Sequence, residues 1–201
     1  MTSSSRPMKA LAVLCLVLPA LQTLPASAQD VSQQVAACIA CHPVSNVPAN
    51  SPNPIIWGQN LGYVYLQLRD FKRGTRASER DVAMHALTQT MTDPQMLEIA
   101  EYVAAQSWPK HQDRTTPPTD PLFLRGAKLV AYGDCGGCHF NNWLGYSANP
   151  RLRGQTPAYL TITIDEFRGG KRANSPGMSD LLRVYGAEDV KAIVAYLSSL
   201  D

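Results

Sequence analysis

Apolar residues recur along this chain with a helical rather than an alternating period. Val190, Ile193, Val194 and Leu197 fall at i, i+3, i+4 and i+7, and Met96, Ile99, Ala100 and Val103 show the same spacing 94 residues earlier (190 − 96). Each set describes the buried stripe of an amphipathic helix. Thr92-x-x-Gln95 has the form of a capping box at the start of the earlier helix, and Gly186 stands just before the later one. A middle helix is expected from about Leu61 to Lys72, with a counterpart from about Pro157 to Arg168. Strand-like alternation is hard to find, so the pattern predicts an all-α fold.

Ahead of these helices Arg6 and Lys9 precede an apolar run from Ala10 to Leu24, and Ala26-Ser27-Ala28 comes after it with the small-x-small form of a signal-peptidase site. Residues 1–28 therefore read as a cleavable signal peptide, with Gln29 first in the mature chain. The run is shorter than the ~20 residues of a membrane-spanning helix, and Pro19 interrupts it. Cys15 lies inside it behind Leu14, which lacks the small side chain that a lipidation site would want. Later segments are too polar to span a bilayer, so the mature protein is expected to be soluble, without a transmembrane segment. The leader holds two of the 18 basic residues and none of the 16 acidic ones, which leaves a formally neutral mature chain. Nothing in that balance recommends nucleic acid as a partner.

Of the five cysteines, the four outside the leader all fall in two copies of C-x-x-C-H: Cys38-Ile39-Ala40-Cys41-His42 and Cys135-Gly136-Gly137-Cys138-His139. That pentad is the attachment signature of c-type haem. Two thiols on one helical turn can form thioethers to the vinyl groups of one porphyrin edge, and the next residue directs an imidazole at the iron. A thioredoxin-like pair, a disulfide or half a zinc site could claim a single C-x-x-C. A following His in both copies, within a chain that repeats itself around them, argues for two covalently bound haem c groups instead. A chain without spare thiols fits the oxidising, extracytoplasmic compartment where such haem is attached.

The two pentads are offset by 97 residues (135 − 38), and the segments after them repeat as well. Asn53-Pro54-Ile55-Ile56-Trp57-Gly58-Gln59 matches Asn149-Pro150-Arg151-Leu152-Arg153-Gly154-Gln155 at an offset of 96. Tyr63 then pairs with Tyr159, Phe71 with Phe167, Gly74 with Gly170 and Arg76 with Arg172. The chain reads as two copies of one module, 29–110 and 122–201, joined by a stiff, exposed linker over 111–121 that carries Pro117, Pro118 and Pro121. His111 in that linker is expected to be solvated. Pro54 and Pro150 are placed to offer a carbonyl to the imidazole N–H of His42 and His139. In the basic loops after Phe71 and Phe167, one cation per module suits haem propionates and the rest suit solvent or an acidic partner.

Methionine opposite histidine is the axial pair that raises a c-type potential. Met178 is the only methionine after the second pentad, and Asn174 to Met178 has the composition of an exposed loop. The first module offers Met84, Met91 and Met96. Met96 belongs to the apolar stripe and reads as core packing. Met84 falls under Met178 at the offset of the C-terminal helices (178 − 94 = 84), with Met91 and the neighbouring His85 as alternatives.

With these residues in view the chain resembles the cytochrome c4 family. The paired C-x-x-C-H motifs, the P-x-[IL]-x-G-Q segments, the F-x-x-G-x-R elements and the methionine segments before the last helices carry the resemblance across essentially the whole mature chain. It implies two tandem class I cytochrome c domains, His42 and Met84 on one iron and His139 and Met178 on the other. It further implies a periplasmic protein that carries electrons from a quinol-oxidising complex toward a terminal oxidase. The chain departs from the family pattern where Pro43 and Phe140, rather than Gly, follow the haem histidines, and its first methionine segment is two residues longer than its second.

An electron carrier without substrate chemistry is the leading expectation, working through small, transient contacts with redox protein partners. A di-haem enzyme, such as a peroxidase or sulfur-compound oxidoreductase, is disfavoured by a candidate methionine in each half and by the lack of a sizeable insertion. A third reading is the electron-accepting subunit of a periplasmic dehydrogenase. The sequence leaves open whether the protein is free or associates peripherally with the membrane.

Overall fold

The computed structural model describes Met1, residues 31–111 and residues 116–200. The leader read at 1–28 lies otherwise outside these residues. The described chain is helical, with isolated bridges (Val47 with His111, Tyr146 with Asn149) in place of strands. The first module contains α1 (Val31–Ile39), α2 (Leu61–Arg73), a 3-10 turn (Glu79–Asp81), α3 (Val82–Thr88) and α4 (Asp93–Ala104). The second contains α5 (Pro121–Tyr132), α6 (Gly136–His139), α7 (Pro157–Arg168), α8 (Pro176–Leu182) and α9 (Ala187–Ser199).

The local reasons for these boundaries are those of helix-end chemistry. Thr92 accepts the Gln95 N–H while the Gln95 side chain accepts the Thr92 N–H, closing the capping box of α4. At α9 the carboxylate of Asp189 accepts the Gly186 N–H at 3.0 Å. Gly74 closes α2 in the left-handed region, φ 71°. The methionine segments differ from expectation: both are short helices, α3 and α8, rather than loops. Pro176 supplies a first-turn residue for α8, and the turn before α3 is closed by Ser78 and Asp81.

Each module has its own apolar core. Val35, Trp57, Val64, Leu68, Met96, Ile99, Ala100 and Val103 form the first, and Val130, Trp143, Leu160, Ile164, Phe167, Leu182, Tyr185 and the inner face of α9 form the second. The helical stripes read from the sequence supply both, and Met96, with 0% exposure, is core as expected. His111 is a correction. It is buried, with Nε2 at 2.8 Å from the Ser198 carbonyl and its backbone bridged to Val47, because the chain leaving α4 runs against both modules before residue 112.

The modules meet through their repeated segments. The Gln155 amide donates to the Ile55 carbonyl (3.0 Å) and accepts the Ile55 N–H (2.8 Å). Gln59 makes the same pair of bonds to Arg151, at 3.0 and 2.7 Å. Since residues 55 and 59 correspond to 151 and 155, the contact is reciprocal, as an approximate two-fold requires. Helix starts are exchanged as well: the Tyr63 N–H at the head of α2 donates to the Ser147 carbonyl, and the Ala158 N–H at the head of α7 to that of Ala49. Orphan donors of each helix are thus satisfied by the opposite module.

Candidate haem sites and the interface between them

Both C-x-x-C-H segments close a helical turn. The His42 N–H donates to the Cys38 carbonyl at 2.8 Å, and the His139 N–H to that of Cys135 at 3.0 Å. Cys41 and Cys138 are exposed, Cys38 and Cys135 half-buried, and none of the four is in a disulfide. Burial pushes the Cys38 and Cys135 thiols above their ordinary range, the opposite of an activated redox thiol. Among the described residues no three His, Cys, Asp or Glu side chains converge as a metal cluster would need, so a zinc site assembled from both copies is not formed.

The histidines are oriented as a proximal ligand would need to be. His42 Nδ1 lies 2.8 Å from the Pro54 carbonyl and His139 Nδ1 lies 3.0 Å from that of Pro150. A carbonyl only accepts, so the ring proton is on Nδ1 and the Nε2 lone pair is left for iron. Burial lowers both imidazoles below their ordinary pKa against the raising effect of the proline carbonyls, and Arg76 adds to the lowering at His42. The proline carbonyls thus occupy the supporting position expected of them. The Trp57 indole N–H donates to the His42 carbonyl at 2.7 Å, fixing the first pentad from behind. In the second module the residue after the histidine, Phe140, takes φ 60°, ψ 154°, a backbone region otherwise left to glycine.

Each core carries both kinds of candidate ligand at its margin. Cys38, Met84 and Met91 pack against the first, and Cys135 and Met178 against the second. His85 turns away from its core: it is exposed, and its Nδ1 lies 2.7 Å from the Phe71 carbonyl. On the seven-residue α3, Met84 and His85 lie on different faces, and Met84 is the one directed inward.

The arginines of the F-x-x-G-x-R elements meet at the module interface. Arg76 and Arg172 are 4% and 3% exposed, each stacked over the phenylalanine of its own element. Arg172 donates to Tyr63 across the interface at 3.0 Å and to Gln67 at 2.8 Å, and Arg76 lies 3.4 Å from the Tyr159 hydroxyl. Arg172 spends its donors on neutral groups. Arg76 has Asp81 at 3.6 Å, yet its buried Nε makes no hydrogen bond. Burial would raise the Tyr159 hydroxyl, but the two guanidiniums outweigh it and bring it down to about 7, whereas burial dominates at Tyr63 and raises it. Arg172 is therefore a buried cation held by neutral groups, and Arg76, beside Asp81, keeps an orphaned buried donor. That is the environment a haem carboxylate needs, and the residues present fit two such groups: four thiols, two oriented imidazoles, methionines flanking apolar cores and a buried cationic pair. The glutamines Gln59 and Gln155 and the tyrosines Tyr63 and Tyr159 were visible in the sequence only as repeated letters, and their recurrence at one offset was the available signal, which Trp57, opposite Arg153, does not share.

The arrangement has known counterparts. The family model described as Cytochrome c matches residues 123–201. Cytochrome c4 of Thiocapsa roseopersicina is 34% identical over 82% of this chain and 87% of its own length. The crystal structure of reduced recombinant cytochrome c4 from Pseudomonas stutzeri superposes with a TM-score of 0.71 at 28% identity, covering 85% of this chain and 97% of that one. A relative from Stutzerimonas stutzeri strain A1501 named thiosulfate dehydrogenase electron acceptor is 27% identical over 82% of this chain and 79% of its own.

Proposed function

The chain belongs to the cytochrome c4 family and is a di-haem electron-transfer cytochrome with covalently attached haem c, and from that premise we propose how it holds its haems and between which partners it works. His42 and Met84 ligate one iron and His139 and Met178 the other, with thioethers from Cys38, Cys41, Cys135 and Cys138. The two units, 29–110 and 122–201, act in the periplasm after removal of residues 1–28. They pass electrons from a quinol-oxidising complex or a periplasmic dehydrogenase to a terminal oxidase or another acceptor. When bound, haem supplies reversible one-electron chemistry. The protein supplies fixed imidazoles, methionines packed on rigid cores, and a buried pair of cations between the modules.

The observation that carries this reading is the doubled bond from imidazole Nδ1 to a proline carbonyl, 2.8 Å in one module and 3.0 Å in the other. Met84 and Met91 pack on the first core and Met178 on the second, so each site has a methionine at hand to fill the position that a substrate would need. Among the described residues no helix is long and apolar enough to cross a membrane, which suits a carrier reaching its partners from the aqueous side. An absorption titration of the haem-loaded protein from oxidised to reduced, followed by carbon monoxide, tests it. The carrier reading expects two low-spin haems with the methionine-to-ferric charge-transfer band and no response to the gas. One gas-binding haem would contradict it.

The relative named as a thiosulfate dehydrogenase electron acceptor favours one second reading, that of an electron-accepting subunit for a periplasmic dehydrogenase. Stoichiometric co-purification of a dehydrogenase with the native protein would select it over a free carrier.

A further inference from the structure

The two methionine helices are anchored differently. In the first module, side chains tie α3 to the last turn of α2. His85 Nδ1 donates to the Phe71 carbonyl at 2.7 Å, and Gln89 Nε2 donates to the Lys72 carbonyl at 3.1 Å. In return the Lys72 ammonium donates to the Met91 carbonyl, just beyond α3. Phe71 and Lys72 belong to the last turn of α2, where the Phe71 carbonyl also accepts the Gly74 N–H at 3.2 Å, so these bonds add cross-element partners at a helix end. Each bond spans Met84 in the chain, and its attachment on the methionine segment follows Met84, at residues 85, 89 and 91. In the second module the matching positions are Ser179 and Arg183 at the 94-residue offset, and Arg168 at 96. Arg168 turns back to Asp165 on its own helix at 2.8 Å, and Arg183 pairs with exposed Asp180 at 3.4 Å. Among the described residues no side-chain hydrogen bond joins α8 to the end of α7.

We propose that His85, Gln89 and Lys72 form a clasp that positions the Met84 segment and makes methionine harder to displace from the first haem than from the second. The inference rests on Met84 and Met178 being the ligands. Displacement of a methionine by an incoming ligand needs its segment to swing away from the core, a local opening whose cost depends on the bonds that tie the segment down. Among the described residues α8 meets α7 without such side-chain bonds and packs on the apolar core, whereas the segment of α3 and the residues just after it has to release three cross-element bonds as well. The three residues are positioning residues, acting through the backbone that carries Met84.

Imidazole titration of the oxidised, haem-loaded protein tests this, with loss of the methionine-to-ferric absorption as the signal. Met178→Ala isolates the Met84 contribution and so assigns the steps. The second haem should give way at an imidazole concentration about tenfold lower than the first, the effect of one to two net hydrogen bonds. His85→Leu should lower the first midpoint about three- to tenfold and leave the second unmoved. His85→Asn, which keeps an N–H donor near the Nδ1 position, should restore it. Gln89→Leu is the second variant if His85→Leu does not fold. Coincident steps in the parent protein, or a first midpoint indifferent to His85→Leu and Gln89→Leu, would overturn the clasp alone. Absence of any methionine absorption in Met178→Ala would overturn the Met84 assignment and the clasp with it.

Discussion

The crossings of first and last helices separate the two modules. In the second, Gly126 lets α5 lie directly on α9: a Cβ built there would stand 2.0 Å from the Ala192 carbonyl oxygen and 2.7 Å from the Tyr196 Cβ. Around that notch Phe123 and Trp143 both meet Tyr196 edge-on, at centroid distances of 5.0 and 5.9 Å, and the Trp143 indole donates to the Tyr196 hydroxyl. In the first module α1 begins at Val31, and its crossing with α4 leaves a cleft of about 280 Å³ lined by Val35, Ile39, Trp57 and Tyr102 among others. Trp57 takes the place of the aromatic stack, but it donates to the His42 carbonyl rather than to the helix tyrosine. One candidate haem site is braced by helix-on-helix packing and the other by a tryptophan bonded to the C-x-x-C-H motif itself, so the same module plan reaches one imidazole placement by two routes.

Breaking the tighter crossing should have the largest effect. Gly126→Val forces a side chain into backbone and should cost at least about 3 kcal/mol, beyond ordinary overpacking, because neither helix can retreat without opening the core. Urea unfolding followed by circular dichroism should show the second module melting early with the first little changed, and simultaneous loss of both would mean that the modules do not have separable cores.

The interface glutamines give the next contrast. Gln155→Leu leaves the N–H and carbonyl of Ile55 unpaired in a fully buried place, costing about 3 kcal/mol. Gln59→Leu does the same to Arg151, which is only half-buried, so water can compensate and about 1–2 kcal/mol is expected. Denaturation midpoints of the two variants check the ranking, and equal costs would remove the asymmetry.

Helix caps give the smallest contrast. Thr92→Ala removes the neutral capping box of α4 and should cost about 1 kcal/mol at any pH. The Asp189 carboxylate is held below the usual aspartate range by the Gly186 N–H and Arg125. A carboxylate lowered in the folded state stabilises fully above the ordinary aspartate pKa of about 4, and that contribution fades as pH falls through the lowered value. Asp189→Asn should therefore destabilise at neutral pH and become indistinguishable from the parent in acid, as read from thermal melts over that range.

How much of the molecule was legible in its sequence depends on how local each signal is. The middle helices were expected at about Leu61–Lys72 and Pro157–Arg168 and are found at Leu61–Arg73 and Pro157–Arg168, because period, capping and glycine stops are written within a few residues. The Pro54 and Pro150 carbonyls were legible because the motif fixes the histidine's chemistry and repetition marks its support. The methionine helices were not, since seven residues hold too few turns for a period to register. Nor was the burial of His111, whose partner Ser198 lies 87 positions away. The duplicated Gly-Gln segments showed that Gln59 and Gln155 share a role, but only the folded chain shows that the role lies between the modules rather than within each.

Proton NMR of the reduced, haem-loaded protein tests the central claim most directly, because a methionine bound to low-spin ferrous haem has its methyl signal displaced far upfield by the porphyrin ring current. Two such signals are expected, one removed by Met84→Ala and the other by Met178→Ala. A single signal, or one that disappears with Met91→Ala instead, would contradict paired histidine–methionine ligation in two equivalent modules.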